Sequence, residues 1–189
     1  MACMMKLNLG CGEFKKDGYL NLDISSAVKP DLIHDLNVFP YPFQDSQFDV
    51  VEADHVLEHL ENSFLVMKEL HRVSKNKASV IVRVPHYSRG FTHPEHKRAF
   101  DITFPLYFQK SFKGGYQEVE FELKRLRLSW FAQKSLKRET LPRSLYFMGY
   151  GLGSILSFLA NLSPVLCSRL WCFWVGGFEE IEFEFVVKK

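Results

Sequence analysis

Short runs of apolar residues punctuate the first half of the chain, and their pattern predicts five β-strands. The runs cover residues 6–9, 19–22, 31–34, 48–53 and 79–84. Each run stops at a polar residue, a glycine or a proline, as strands commonly do. Between the fourth and fifth runs, Leu60, Phe64, Met67 and Leu70 recur every three or four positions, which is the period of one helix face. Strands joined by helical crossovers indicate a parallel, doubly wound α/β sheet.

The connection between the first two predicted strands is unusually short. Only residues 10–18 separate them, which is at or below the minimum for a parallel crossover. The first helix is therefore predicted to be a turn or two at most.

The second half of the chain alternates apolar and acidic residues in two long segments. Around residues 119–130 the alternation changes phase at Lys124-Arg125, which predicts a β-bulge. A second alternation over residues 180–187 ends the chain. The two segments predict an antiparallel pair at the sheet edge, giving about seven strands in all.

Residues 131–178 lie between these last two strands and are predicted to form a helical insertion. Residues 144–168 carry no charge, and Pro164 should divide them into two short amphipathic helices. The preceding segment, 124–143, contains seven basic residues and one acid, which fits contact with a membrane surface. Three roles stay open for the insertion: a cap that covers the acceptor pocket, a homodimer face, or peripheral membrane contact.

Composition narrows the class of protein. The length of 189 residues fits one domain, 1–189, and an apolar content of 47% excludes disorder. The net charge of +2 is too balanced for a bulk nucleic-acid binder. The cysteines are scattered and form no metal-ligand spacing, and the first ten residues contain no secretory signal, so we predict a cytoplasmic protein with free thiols. The cysteines are Cys3, Cys11, Cys167 and Cys172.

Candidate ligand-binding residues follow the predicted strands. Gly10, Cys11 and Gly12 come directly after the first strand, where glycines let the backbone approach a ligand closely. Acidic residues end the next three strands. In open α/β sheets, ligands bind at this carboxyl edge, and an acid after the second strand can hold the ribose of a nucleoside. These acids are Asp23, Asp35 and Asp54.

Together these motifs resemble those of the class I S-adenosylmethionine-dependent methyltransferases of the small type-11 kind. The resemblance covers about residues 5–110. It is carried by segments 7–12 (LNLGCG), 21–23 (NLD), 35–36 (DL), 41–43 (YPF), 45–51 (DSQFDVV), 55–59 (HVLEH), 69–73 (ELHRV) and 84–86 (VPH). The chain departs from the family pattern where the loop lacks a third glycine, and at 76–78, where Asn-Lys-Ala replaces the usual Pro-Gly.

The resemblance implies the cofactor and a role for each matching residue. S-adenosyl-L-methionine would place its methionine part at residues 10–12 and its ribose at Asp23 with Ile24. Its adenine would lie at Asp35 and Leu36, and its sulfonium above Asp54 and His55. The implied activity is methyl transfer to an acceptor that the sequence does not identify; metabolites, lipid- or sugar-linked molecules, nucleic acids and proteins all stay open. The alternative is a relative that binds the cofactor without catalysis.

Histidines are the candidates for a general base, because the imidazole titrates near neutrality. His55 and His86 follow the fourth and fifth strands, and His96 lies in a loop expected to cover the same edge. We therefore predict these three as catalytic residues. His59 and His71 are predicted to pack or to lie on the surface.

Residues 55–59 also match HxxEH, a zinc-hydrolase pattern. The motif follows a strand of a glycine-loop sheet, however, and five residues match easily by chance. We therefore predict no metal site and rank a zinc hydrolase below the methyltransferase.

Overall fold

The computed structural model describes residues 4–189 and contains a mixed seven-stranded sheet with strand order β3-β2-β1-β4-β5-β7-β6. Strands β1 to β5 are parallel, and β7 runs antiparallel to both of its neighbours. The strands are β1 Lys6–Leu9, β2 Leu20–Asp23, β3 Leu32–Ile33, β4 Phe48–Asp54, β5 Ser74–Pro85, β6 Glu120–Ser129 and β7 Glu180–Lys188. The predicted parallel sheet with an antiparallel edge pair is confirmed.

Four α-helices accompany the sheet: α1 Ser63–Val73, α2 Lys134–Thr140, α3 Arg143–Leu162 and α4 Pro164–Arg169. Asn62 caps helix α1, and its side chain accepts hydrogen bonds from the amides of the first turn. Single 3-10 turns occupy Ser26–Val28, Leu57–His59, Phe104–Phe108 and Trp171–Phe173. The register of β6 against β7 shifts between Leu123 and Arg125, which confirms the predicted bulge.

The connection between β1 and β2 contains no helix at all in the described chain, less than the turn or two expected. The side chain of Asn21 holds the connection instead. Its Oδ1 accepts hydrogen bonds from the Lys16 amide at 2.8 Å and from Asn8 Nδ2 at 3.0 Å, while its Nδ2 donates to the Lys16 carbonyl at 3.2 Å. A buried amide thus replaces the hydrogen bonds that a helix would supply.

The two faces of the sheet differ in chemistry. One face is apolar and is covered by α1 and the Phe104–Phe108 turn, with Val80, Val82 and Phe183 fully buried. The other face carries a partly exposed network of charges on β4, β5 and β7. Burial opposes ionisation of Glu52, but hydrogen bonds from Lys16 and Tyr19 lower its pKa to about 2. This charged face explains why burial alternates along β7 and along the second half of β5.

The insertion packs its long helix on the edge strand β6 through small residues. A Cβ at Gly153 would lie 2.5 Å from Phe131, so the helix can approach only because this position has no side chain. Asn161 accepts from the Leu128 amide at 2.9 Å and donates to its carbonyl at 2.8 Å. The predicted break at Pro164 is present, but α3 has 20 residues and is longer than expected.

Candidate active site

The glycine loop after β1 is shaped by two residues with positive φ, Gly10 at 59° and Gly12 at 49°. A Cβ at Gly10 would lie 2.4 Å from Val56 Cγ2, so only glycine lets this side chain pack against the loop. A Cβ at Gly12 would meet no atom within 4 Å. The loop is therefore closed against β4 on one side and open at Gly12.

Asp23 anchors the loop from the end of β2. Its Oδ2 accepts from the Gly12 amide at 2.8 Å, and its Oδ1 accepts from the Ser25 amide at 2.9 Å. Each carboxylate oxygen keeps a second lone pair, so Asp23 can still accept hydrogen bonds from two ribose hydroxyls. The side chain of Ile24, 63% exposed, provides an apolar surface beside it. The open Gly12, Asp23 and Ile24 together fit a nucleoside ligand.

The two residues implied for the adenine contact differ in their access to a ligand. The Leu36 side chain is buried in the core, and its carbonyl accepts from Tyr41 Oη at 3.0 Å. Asp35 accepts from the amide and side chain of Asn37 at 2.9 and 3.1 Å. The Leu36 side chain is therefore unable to touch a ligand, and Asp35 is the only one of the pair with a side chain available at this edge.

Asp54 belongs to the charged network of the polar sheet face. Its two oxygens lie 2.6 Å from Lys16 Nζ and 2.5 Å from Arg83 Nη1. Arg83 in turn contacts Glu182 at 2.7 Å. Two cations thus hold the Asp54 carboxylate. Ion pairs fix its position, and both of its oxygens are already engaged.

A pocket of about 470 Å³ opens beside the ends of β4 and β5. Four histidines line it, and the insertion contributes one wall through α2. Arg89 and Lys137 add positive charge at its rim and share Glu179 as their ion-pair partner. The histidines are His55, His59, His93 and His96. The insertion was expected to cover or flank the acceptor pocket; its residues 132, 133, 136 and 137 line this histidine pocket.

His55 is a cation at neutral pH. Its Nε2 lies 2.9 Å from Glu180 Oε2, and its Nδ1 lies 3.3 Å from Glu58 Oε1. Burial disfavours the charged ring, but the hydrogen bonds with Glu180 and Glu58 outweigh it and raise the pKa of His55 to about 9. A protonated ring has no free lone pair, so His55 is unable to act as a base in this state. Its φ of 51° marks a constrained position.

His96 keeps the geometry of a base. Its Nδ1 lies 2.5 Å from the Gly90 carbonyl, to which it can only donate. In the neutral ring this donation leaves Nε2 as the proton acceptor. Nε2 lies 3.9 Å from Glu58 Oε1, at the pocket wall. Of the three histidines predicted as catalytic, His96 is the one whose hydrogen bonds fit that role.

His86 does not reach the pocket. Its ring is fully buried, with Nδ1 2.7 Å from Ser88 Oγ and Nε2 2.8 Å from Ser168 Oγ. Burial lowers its pKa to about 4, so the ring is neutral. His86 fastens the end of β5 to α4, and this structural use replaces the catalytic role predicted from its position after the strand.

His59 enters the pocket, whereas the sequence suggested packing or surface. Its ring centroid lies 4.9 Å from that of His96 and 5.8 Å from that of His93. The reason is local: residues 57–59 form a 3-10 turn, and α1 starts only at Ser63. His59 therefore leaves the face predicted for a continuous helix.

Glu58, His59 and His96 form a cluster whose possible ligand atoms lie within 4.8 Å of one another. HxxEH would pair His55 with His59 on one metal, but both nitrogens of His55 face carboxylates. Zinc ligands lie about 2.1 Å from the metal, so two ligand atoms of a tetrahedral site lie roughly 3.4 Å apart. The distance between His96 Nε2 and Glu58 Oε1 is longer, at 3.9 Å. Glu58 is fully buried, and the His55 cation balances its charge.

We expect the purified protein to contain no stoichiometric zinc, because a metal ion at Glu58 would compete with the His55 cation 3.3 Å away. Elemental analysis of protein prepared without chelators measures this. One zinc per chain that is lost in His59→Ala would contradict the expectation and favour metal chemistry at the cluster.

Comparison with known proteins shows which domain the first half of the chain resembles. A family model described as a methyltransferase domain, of the type-11 group, matches residues 7–82. These residues therefore resemble a type-11 class I methyltransferase domain, as their motifs indicated. S-adenosyl-L-methionine is the cofactor of this domain, and the open loop at Gly12 with Asp23 and Ile24 suits its nucleoside part. No curated protein matches the sequence.

Solved structures share the fold of this methyltransferase domain at low sequence identity. A putative methyltransferase from Bacillus halodurans is 13% identical with a TM-score of 0.58, covering 100% of this chain and 94% of the other. A SAM-dependent methyltransferase from Archaeoglobus fulgidus is 15% identical with a TM-score of 0.56, covering 98% and 86%. The [4+2]-cyclase SpnF is 12% identical with a TM-score of 0.56, covering 98% and 75%. The shared fold thus includes a protein named for a different reaction, so the chemistry has to be argued from the site.

Proposed function

We propose that this protein transfers a methyl group from S-adenosylmethionine to an acceptor bound in the histidine-lined pocket. The observation that carries the proposal is the contact between Val56 and Gly10, since Val56 follows His55 directly. This contact joins the glycine loop to the pocket wall. A cofactor at the loop and an acceptor in the pocket would therefore lie on two sides of the same short segment.

The cofactor supplies an activated methyl group on a positively charged sulfur. The protein's own task is to align the acceptor with that group and to exclude water. Gly12 and Asp23 would hold the cofactor. His96 Nε2 would take the proton that the acceptor's nucleophilic atom loses as it receives the methyl group.

The charges around the pocket suggest the chemistry of the acceptor. The His55 cation, Arg89 and Lys137 face a pocket whose carboxylates Glu58 and Glu179 are already engaged with these groups. Positive groups held in this way favour an acceptor rich in oxygen atoms, anionic or hydroxylated. A hydroxyl nucleophile needs a base to remove its proton, and His96 provides one.

Transfer of label from methyl-tritiated S-adenosylmethionine to fractions of a cell extract tests the proposed function. Labelling that requires the intact protein supports methyl transfer and shows which fraction contains the acceptor. Cofactor binding in calorimetry with no labelling of any fraction would favour the alternative, a relative that binds without catalysis. Absence of cofactor binding would overturn the proposal.

Replacing Asp23 with Ala should weaken S-adenosylmethionine binding about 10–100-fold, because two charge-assisted hydrogen bonds to the ribose are lost. The change also frees the Gly12 amide from its anchor. Titration calorimetry measures the affinity. The matched control is Asp17→Ala, an exposed acid in the same connection. Equal affinities in the Asp23 and Asp17 variants would contradict the placement of the ribose.

We place the protein in the cytoplasm, where S-adenosylmethionine-dependent reactions and reduced thiols coexist. In the described chain Cys11, Cys167 and Cys172 are free and buried, and burial raises the pKa of Cys11 and Cys167. Buried protonated thiols suit a reducing compartment. Cys3 lies outside the described residues.

A further inference from the structure

The insertion presents an apolar surface to solvent. Of the 24 exposed large apolar side chains within residues 4–189, 14 lie between residues 145 and 174. Soluble proteins seldom expose apolar side chains in such a continuous group unless another surface covers it. We define the docking face as the outer side of α3, α4 and the turn that follows them. Its most exposed members are Phe147, Phe158, Leu162, Val165, Phe173 and Trp174.

Helix α3 is amphipathic in an unusual sense, because its small residues face the protein and its large residues face outward. Gly153 and Ala160 are buried against the sheet edge, whereas Ile155 and Phe158 are 60% and 67% exposed. The helix is long and apolar enough to cross a membrane, yet only 11% of its most apolar 18 residues are buried. Two hydrogen bonds between Asn161 and the backbone of Leu128 hold the helix alongside β6. The helix can therefore lie along a membrane surface but not cross it.

We propose that this docking face binds the surface of an anionic lipid bilayer. Helices that lie in the interface combine an apolar face with flanking basic residues and aromatic rings at the boundary. Here no charge occurs from 144 to 168, seven basic residues occupy 124–143, and Arg169 follows. Trp174, 84% exposed, is the most exposed of these side chains and is of the type enriched at lipid–water interfaces.

The charge distribution favours a bilayer over a second copy of the chain. A symmetric dimer buries the same patch from both partners, so the basic flanks of the two copies would approach each other. Within the described chain, Lys124 and Lys137 pair with Glu184 and Glu179, and the other five basic residues of 124–143 have no acidic partner within ion-pair distance. Anionic headgroups match this charge, and each basic residue near such a surface adds attraction that salt weakens.

A role as a cap over the acceptor pocket would explain little of the exposed docking face. Only residues 132–137 of the insertion line that pocket. Most large side chains of α3 point away from the protein. Phe158 and Leu162, although exposed, also border a separate cavity between α3 and β6. The exposed apolar side chains of the docking face therefore need a partner outside this chain. The inference stands independently of methyl transfer.

Vesicle sedimentation of the full chain tests the proposal. We expect binding to phosphatidylcholine vesicles with 30% phosphatidylglycerol at low salt, reduced at least about tenfold at 0.5 M salt or without the anionic lipid. The double variant Ile155→Ser/Phe158→Ser should lose at least about tenfold in vesicle affinity, since two apolar side chains no longer enter the interface. The double variant Arg138→Gln/Arg143→Gln should bind more weakly and with a smaller salt dependence.

Matched controls use exposed residues elsewhere on the chain. Val38→Ser/Leu65→Ser removes two exposed apolar side chains, and Lys77→Gln/Lys113→Gln removes two exposed charges; both should bind vesicles as the intact protein does. Circular dichroism confirms folding. Absence of vesicle binding, equal binding by the Ile155/Phe158 variant, or a lipid-free dimer in sedimentation equilibrium that this variant dissociates would each overturn the proposal.

Discussion

Replacing His96 with Ala is expected to lower the rate of methyl transfer about 100-fold or more, while the affinity for S-adenosylmethionine stays within a few-fold. General base catalysis by a positioned imidazole contributes about 10²–10⁴-fold to reactions that need it. The Gly90 carbonyl fixes the ring with Nε2 as acceptor, and no residue placed at the cofactor site changes in the variant. The loss should therefore appear in turnover rather than in cofactor binding.

The label-transfer assay measures this loss with the fraction that contains the acceptor. His34→Ala is the matched control, because His34 is partly exposed on the loop after β3 and lies outside the pocket. A loss below threefold would contradict a base role.

Sequence analysis correctly predicts the positions of residues that lie at, or directly after, the end of a strand. Asp23 closes β2, and His55 follows β4, so the parallel sheet alone brings them to one edge. The alternating patterns of β6 and β7 likewise indicate which residues face the core, and the change of phase at Lys124-Arg125 indicates the bulge. In each case the information is local, because a period of two residues determines which face a side chain occupies.

The misplaced residues depend on contacts with distant parts of the chain. His86 also follows a strand, but Ser168, 82 residues later, draws its ring into the core. The proton state of His55 is set by Glu180, 125 residues away, and no motif near His55 announces that partner. Lys137 reaches the pocket from the insertion, whose path no periodicity predicts. Sequence patterns thus located the edge of the sheet, whereas tertiary contacts decide which histidine can act there.

The free energy of unfolding is expected to fall by about 3 kcal/mol as the pH rises from 6 to 10, through the deprotonation of His55. Its pKa is about 9 in the folded protein and 6.5 ordinarily, and each pKa unit corresponds to about 1.4 kcal/mol. Because the folded pKa is the higher one, the stabilisation is complete below 6.5 and is lost as the pH rises through about 9. Above that range Glu58 remains buried without its cation.

Urea unfolding at pH 6 and pH 10 measures the change in the intact protein and in His55→Gln. Glutamine can still hydrogen-bond to Glu180 but cannot carry the charge, so the variant should be less stable at pH 6 and should lose little more by pH 10. Cysteine, tyrosine and lysine groups also titrate in this range, but they are common to both proteins and largely cancel in the difference between them. His34→Gln, which changes a histidine outside the pocket, should keep the full pH dependence of the intact protein. If His55→Gln keeps the full pH dependence as well, other groups cause the destabilisation at high pH. The ion pairs of His55 with Glu58 and Glu180 then do not stabilise this part of the pocket.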